Sequence, residues 1–202
     1  MSTTSPPNSS PYPPPAYPIR QFTPEEYHRL AEAGVLREED RVELLEGWIV
    51  PKMIRNPKHD AVVGLAHAAL AARLPEGWFV RIQSAITTKD SEPEPDVAII
   101  RGPIRRYLGH HPGSADVALV VEVADTSLVR DRQKARLYAA AGIPAYWLVN
   151  LAGLRIEIYA APVEAVGRSE YTVHRTLGSN DTIPLVIEGN TIATIPAAEL
   201  LP

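Results

Sequence analysis

The chain has 202 residues, 45% of them hydrophobic, enough to bury the core of one ordinary domain. It holds no cysteine, so disulfides, thiolate metal sites and cysteine nucleophiles are excluded, and any metal must be held by oxygen or imidazole. A formal net charge of −4 argues against a protein that simply coats nucleic acid, while an acidic enzyme with its basic residues gathered in one cleft stays compatible.

Residues 1–18 are rich in Pro and Ser and are expected to form a disordered tail, leaving 19–202 as a single domain. No apolar run approaches the roughly 20 residues of a spanning helix and no charged leader precedes an apolar core, so a soluble, cytoplasmic protein is expected. Thr23 before Pro24-Glu25-Glu26 predicts an N-cap, a first-turn proline and two dipole-complementing acids, with the helix running to Ala33 and ending at Gly34. Val42–Leu45 and Trp48–Val50 flank Glu46-Gly47 as a hairpin. From His59 to Arg73, Val62, Val63, Ala66, Ala69 and Leu70 recur at helical spacing until Leu74-Pro75-Glu76-Gly77 stops the helix.

Four β-rich runs follow, at Trp78–Ser84, Val97–Ile100, Ala118–Val123 and Ala145–Val149. A helix from Ser127 to Ala141, closed by Gly142, separates the last two and has the length of a crossover onto a parallel neighbour. Arg155–Tyr159 with Tyr171–His174 reads as a late hairpin, and the C-terminal remainder as irregular with one more short strand. The fold class is α/β, a mixed β-sheet flanked by helices, with an N-terminal helix and hairpin.

Chemistry concentrates at three positions. Ala118–Val123 is apolar on both faces, as a central strand should be, yet it contains Glu122. Asp96 opens another apolar strand, directly after Pro95. Buried carboxylates need a cation or strong donors, and two at strand ends invite a shared divalent metal with the oxygen ligands Mg²⁺ prefers, Mn²⁺ being the alternative. On the following helix Asp131, Lys134 and Tyr138 share a face, so Lys134 can point back towards Glu122 and stabilise charge on a phosphoryl transition state. Singly, each has a plainer reading: Asp96 as a turn cap, Glu122 as partner of an arginine such as Arg81, Lys134 as a solvated helix residue.

These residues stand among further landmarks: Thr23-Pro24-Glu25-Glu26-Tyr27, Val42-Glu43-Leu44-Leu45-Glu46-Gly47, His59, Pro95-Asp96, Val121-Glu122-Val123-Ala124-Asp125, and Gly142 through Asn150. In that order, over roughly residues 22 to 160, the chain resembles the Uma-type restriction endonuclease family of the PD-(D/E)xK superfamily. The resemblance implies a restriction-endonuclease-like core and a Mg²⁺-dependent endonuclease acting on DNA, with RNA left open. Cutting both strands of a duplex favours a two-fold homodimer. Asp96 and Glu122 then correspond to the two metal-binding acids. The superfamily's lysine, two positions past the second acid, would fall at Ala124 and is absent; Lys134 is its substitute on the next helix. Glu43 resembles an early acid that supplements the metal shell, and His59 either contacts phosphate or caps helix backbone. Asp125 is read as a helix cap. The rival reading is a catalytically degenerate nuclease fold serving as a DNA-associated or protein-interaction module.

Overall fold

The computed structural model describes residues 18–165 and 167–202, so the Pro/Ser stretch expected to be a tail lies, but for Pro18, outside the described residues. Helix α1 (Pro24–Glu32) starts as the sequence dictates: Thr23 and Glu26 form a reciprocal capping box and Pro24 occupies the first turn. Strands β1 (Val42–Leu45) and β2 (Trp48–Pro51) pair through Glu46 and Gly47, at φ 49° and 78°. Two positive φ angles in a two-residue loop match a type I′ turn. Gly47 answers a second demand, because a Cβ there would lie 2.5 Å from Cβ of Gln21. Helix α2 (Pro57–Ala71) begins two residues ahead of His59, since Asn56 supplies the N-cap and accepts the His59 N–H.

The main sheet contains β3 (Trp78–Ile82), β4 (Val97–Arg101), β5 (Val117–Ala124), β6 (Ala145–Asn150), β7 (Arg155–Ala165) and β8 (Arg168–Leu177), hydrogen-bonded in that order. Only β5 and β6 run parallel, joined by α3 (Leu128–Ala140); the other pairs are antiparallel. Helix α3 closes in a Schellman motif: Ile143 N–H reaches the Tyr138 carbonyl, Gly142 N–H reaches that of Ala139, and Gly142 sits at φ 71°.

Period-two alternation along β5 sorts its side chains between the two faces. Leu119, Val121 and Val123 join a cluster with Val62, Ala66 and Leu70 of α2, whereas Val120 and Ala124 join one with Leu137 and Tyr138 of α3. Glu122 shares the parity of Val120 and Ala124, so the chain delivers a carboxylate beneath α3.

Two expectations need correction. The late hairpin is longer than the period-two run suggested, and the C-terminal segment is a regular hairpin, β9 (Thr182–Ile187) with β10 (Asn190–Pro196). In β9, Ile183, Leu185 and Ile187 are buried on the α2 side of the sheet while the residues between them are exposed. Burial is worth roughly 1.5–3 kcal/mol for each such side chain, and among the described residues β9 pairs with β10 alone, so Pro184 sits on an edge strand where a missing N–H is tolerated. Among the described residues no helix is long and apolar enough to cross a membrane.

Candidate active site

Strand register brings the two acids together. Val97 pairs with Val121, which places Asp96 beside Glu122 at the end of the β4–β5 ladder. Asp96 Oδ2 accepts the backbone N–H of Val123 at 2.9 Å, and the N–H of Asp96 lies 3.4 Å from Glu122 Oε2. Both carboxylates are buried, at 8% and 4% exposure.

Glu122 takes its strong donors from α3. Lys134 Nζ donates to Oε1 at 2.9 Å and Tyr138 OH to the same oxygen at 2.8 Å. Lys134 is itself only 8% exposed, so it is no solvated helix residue. Arg81 is not the partner of Glu122; its guanidinium meets His111. Burial pushes Glu122 up to about 8 against the opposing pull of Lys134, with Asp96 and Asp131 adding to the rise. Burial works against the Lys134 ammonium, but Glu122, Glu43 and Asp131 outweigh it and raise its pKa. Asp131 is pushed up by burial, opposed by Lys134, and accepts a short hydrogen bond from the Ser127 hydroxyl.

Glu43 and His59 reach the same cleft. Glu43 Oε1 lies 2.8 Å from an Arg130 nitrogen and 3.6 Å from Lys134 Nζ, while Oε2 accepts the N–H of Glu94. The His59 ring bridges two acids, Nε2 being 3.1 Å from Asp96 Oδ2 and Nδ1 3.2 Å from Asp60 Oδ1. Burial lowers the His59 pKa, but hydrogen bonding and charge from Asp96, then Asp60, reverse that and leave it raised. Asp125, expected to cap α3, instead accepts the Asn56 side-chain amide at 2.6 Å; the N-cap of α3 is Ser127.

All five residues singled out from the sequence, Asp96, Glu122, Lys134, Glu43 and His59, line one cleft. Its volume of about 60 Å³ leaves room for an ion and a few waters, too little for a nucleotide base. Six carboxylates face four lysine or arginine side chains in the lining. Among the described residues no protein donor reaches Asp96 Oδ1, and Glu122 Oε2 is met only by the long contact from Asp96 N–H. Spare oxygens on two acids in a net-negative cleft fit a hard divalent cation. Sequence reasoning missed Asn56 and Glu94, whose contacts cross 69 and 51 residues and leave no local pattern.

A model of the Uma2 family, described as "Putative restriction endonuclease", matches residues 24–195. A crystal structure of a putative nuclease belonging to DUF820, from Anabaena variabilis ATCC 29413, is similar with a TM-score of 0.67. The match covers 89% of this chain and 97% of that one at 16% identity, so the likeness is one of fold. No curated protein matches the sequence.

Proposed function

This chain belongs to the Uma2 family, and on that premise we propose that its acid cleft hydrolyses phosphodiester bonds of DNA with Mg²⁺ or Mn²⁺ held by Asp96 and Glu122. The observation that carries the proposal is the pairing of two buried acids, Asp96 and Glu122, with spare carboxylate oxygens turned to one acid-lined cleft. A bound divalent ion would polarise the scissile phosphate and acidify a water.

The chain's own groups divide the remaining work. Lys134, fixed by Glu122, aims a preorganised positive charge at the cleft where phosphoryl charge develops. Tyr138 donates to the same oxygen of Glu122 and helps hold it. His59 orients Asp96 and can keep or release a proton at Nε2. Arg55 lines the mouth without an acidic partner among the described residues, so it is free to meet a backbone phosphate. With so small a cleft, the substrate must lie across the mouth. A two-fold dimer would place a second cleft on the opposite strand.

The test is cleavage of supercoiled DNA and of RNA with Mg²⁺ or Mn²⁺, alongside the thermal shift each ion produces. The wild type should nick DNA and gain melting temperature with either ion, because a ligand that binds only the native state stabilises it. Asp96→Asn should lose both responses. Calorimetric titration showing equal metal binding by wild type and Asp96→Asn would remove Asp96 from the metal site. Absence of cleavage of DNA and RNA by the wild type, with either ion and across pH, would leave the non-catalytic module as the better reading.

A further inference from the structure

A second donor set lies away from the acid cleft, built from three separated stretches of chain: His28 on α1, Glu92 between β3 and β4, and His111 ahead of β5. Their ligand-type atoms all lie within 4.8 Å of one another. Glu92 Oε1 is 2.7 Å from His28 Nε2 and 3.5 Å from His111 Nε2. We infer that these side chains form a zinc-class metal site, two imidazoles and a carboxylate with a fourth position open to water, which clips α1 to the body of the protein.

Four observations carry this. First, Glu92 is buried, its side chain 3% exposed, and among the described residues no lysine or arginine forms an ion pair with it. A buried carboxylate met by imidazoles and a hydroxyl, with no fixed positive charge beside it, calls for a cation. Second, both imidazoles are about two-fifths exposed, so an ion can reach the site from solvent. Third, the backbones are already fixed. Tyr27, beside His28, donates its hydroxyl to the Val42 carbonyl; Glu92 bridges to Leu44; Gly113, two residues past His111, bridges to Thr87. Thr87 Oγ1 also donates to the second oxygen of Glu92 at 2.9 Å, the kind of outer contact that orients a ligating carboxylate. Fourth, tetrahedral zinc with bonds of about 2.0–2.2 Å spaces its donors roughly 3.4 Å apart. The observed 2.7 and 3.5 Å, with the donors all within 4.8 Å of one another, call for side-chain shifts of about an ångström. Imidazole nitrogen selects the zinc class over Mg²⁺, in contrast to the oxygen-rich cleft.

Arg81 opposes loading and so supplies a handle on it. Its guanidinium donates to His111 Nδ1 at 3.0 Å, which writes the neutral ring with its proton on Nε2, the nitrogen the metal needs. On loading, the proton moves to Nδ1 and the guanidinium swings out. Little holds it in place, since among the described residues buried Arg81 Nε has no partner and β3 is an edge strand.

The experiment uses the full chain without a polyhistidine tag, titrated with Zn²⁺ and with Co²⁺ in the presence of excess Mg²⁺. Co²⁺ is read by its visible bands and stoichiometry by equilibrium dialysis, with circular dichroism confirming the fold of each variant. One ion per chain is expected, lost in His28→Ala and His111→Ala and kept in Asp96→Asn. Arg81→Gln removes the competing donor and offers an acceptor to Nδ1–H, so it should tighten binding about tenfold. A wild type without Co²⁺ bands overturns the inference. So do bands that survive His28→Ala, and bands lost in Asp96→Asn would place the ion in the acid cleft.

Discussion

Replacing Glu122 by Gln in the metal-free protein isolates the crowding of charge in the cleft. Burial raises Glu122 from its ordinary 4.5 to about 8, so the folded protein retains a proton that the unfolded chain releases. The contribution to stability is therefore fully present below pH 4.5 and is lost as pH rises towards 8. In that window the wild type should lose on the order of 1 kcal/mol per pH unit from this group, or about 2–3 kcal/mol between pH 5 and 7. Glutamine cannot titrate. It still accepts from Lys134 and Tyr138, and Lys134 keeps Glu43 at 3.6 Å. Any fixed cost of losing the carboxylate is the same at every pH, so the slope is the informative quantity. Urea unfolding in EDTA at pH 5, 6 and 7, followed by fluorescence of the buried Trp147, should show the variant gaining on wild type by about 2–3 kcal/mol across the series. A stability difference that stays flat with pH would mean Glu122 is ionised throughout, fully neutralised by Lys134, and the argument from crowding would fail.

Lys134→Ala removes the ammonium from buried Glu122 and Glu43, so an unchanged melting temperature, natural for an exposed helix residue, is not expected. At pH 8 the loss should be about 3–5 kcal/mol, shrinking at pH 5 where Glu122 takes up a proton, and cleavage should fall about 10²–10³-fold; equal stability at both pH values would refute the pairing. Deleting residues 1–17, a Pro/Ser-rich stretch with little apolar surface to bury, should leave the melting temperature within a degree or so of the full chain. A drop of many degrees in differential scanning calorimetry would show that these residues pack on the domain.

What could be read from the sequence follows local rules. The N-cap at Thr23, the Glu46-Gly47 turn and the Gly142 closure all rest on residues adjacent to the feature they create, and all stand where expected. The C-terminal hairpin carries the same turn signal, Glu188-Gly189 at φ 51° and 80°, between Ile183–Ile187 and the apolar positions of β10. Pro184 concealed it, because a proline demotes a strand unless its missing N–H faces outwards, and that is decided only by pairing with β10. In the cleft, Asp96 and Glu122 were legible because a carboxylate inside an apolar strand is anomalous wherever it occurs. The burial of Lys134 was not, since nothing near it in sequence shows that Glu43, 91 residues earlier, closes over its ammonium.

Positions 124 and 134 offer a lysine two routes to Glu122, one along the strand and one from the helix. Position 124 lies two residues past Glu122 on β5 and faces the same side of the sheet, the side that α3 covers. A lysine there would approach Glu122 along the strand. Lys134 approaches from the helix above and brings its nitrogen to Glu122 Oε1 at 2.9 Å, while Ala124, fully buried, leaves space for apolar packing under α3. The helical origin adds something a strand position lacks. Because Lys134 also faces Glu43, and Arg130 four residues earlier donates to the same Oε1 of that carboxylate, α3 fastens the β1–β2 hairpin to the core acids. The hairpin in turn receives Tyr27 of α1 and the backbone of Glu92, so Lys134 and Arg130 together link the cleft's charge balance to the packing of the N-terminal elements.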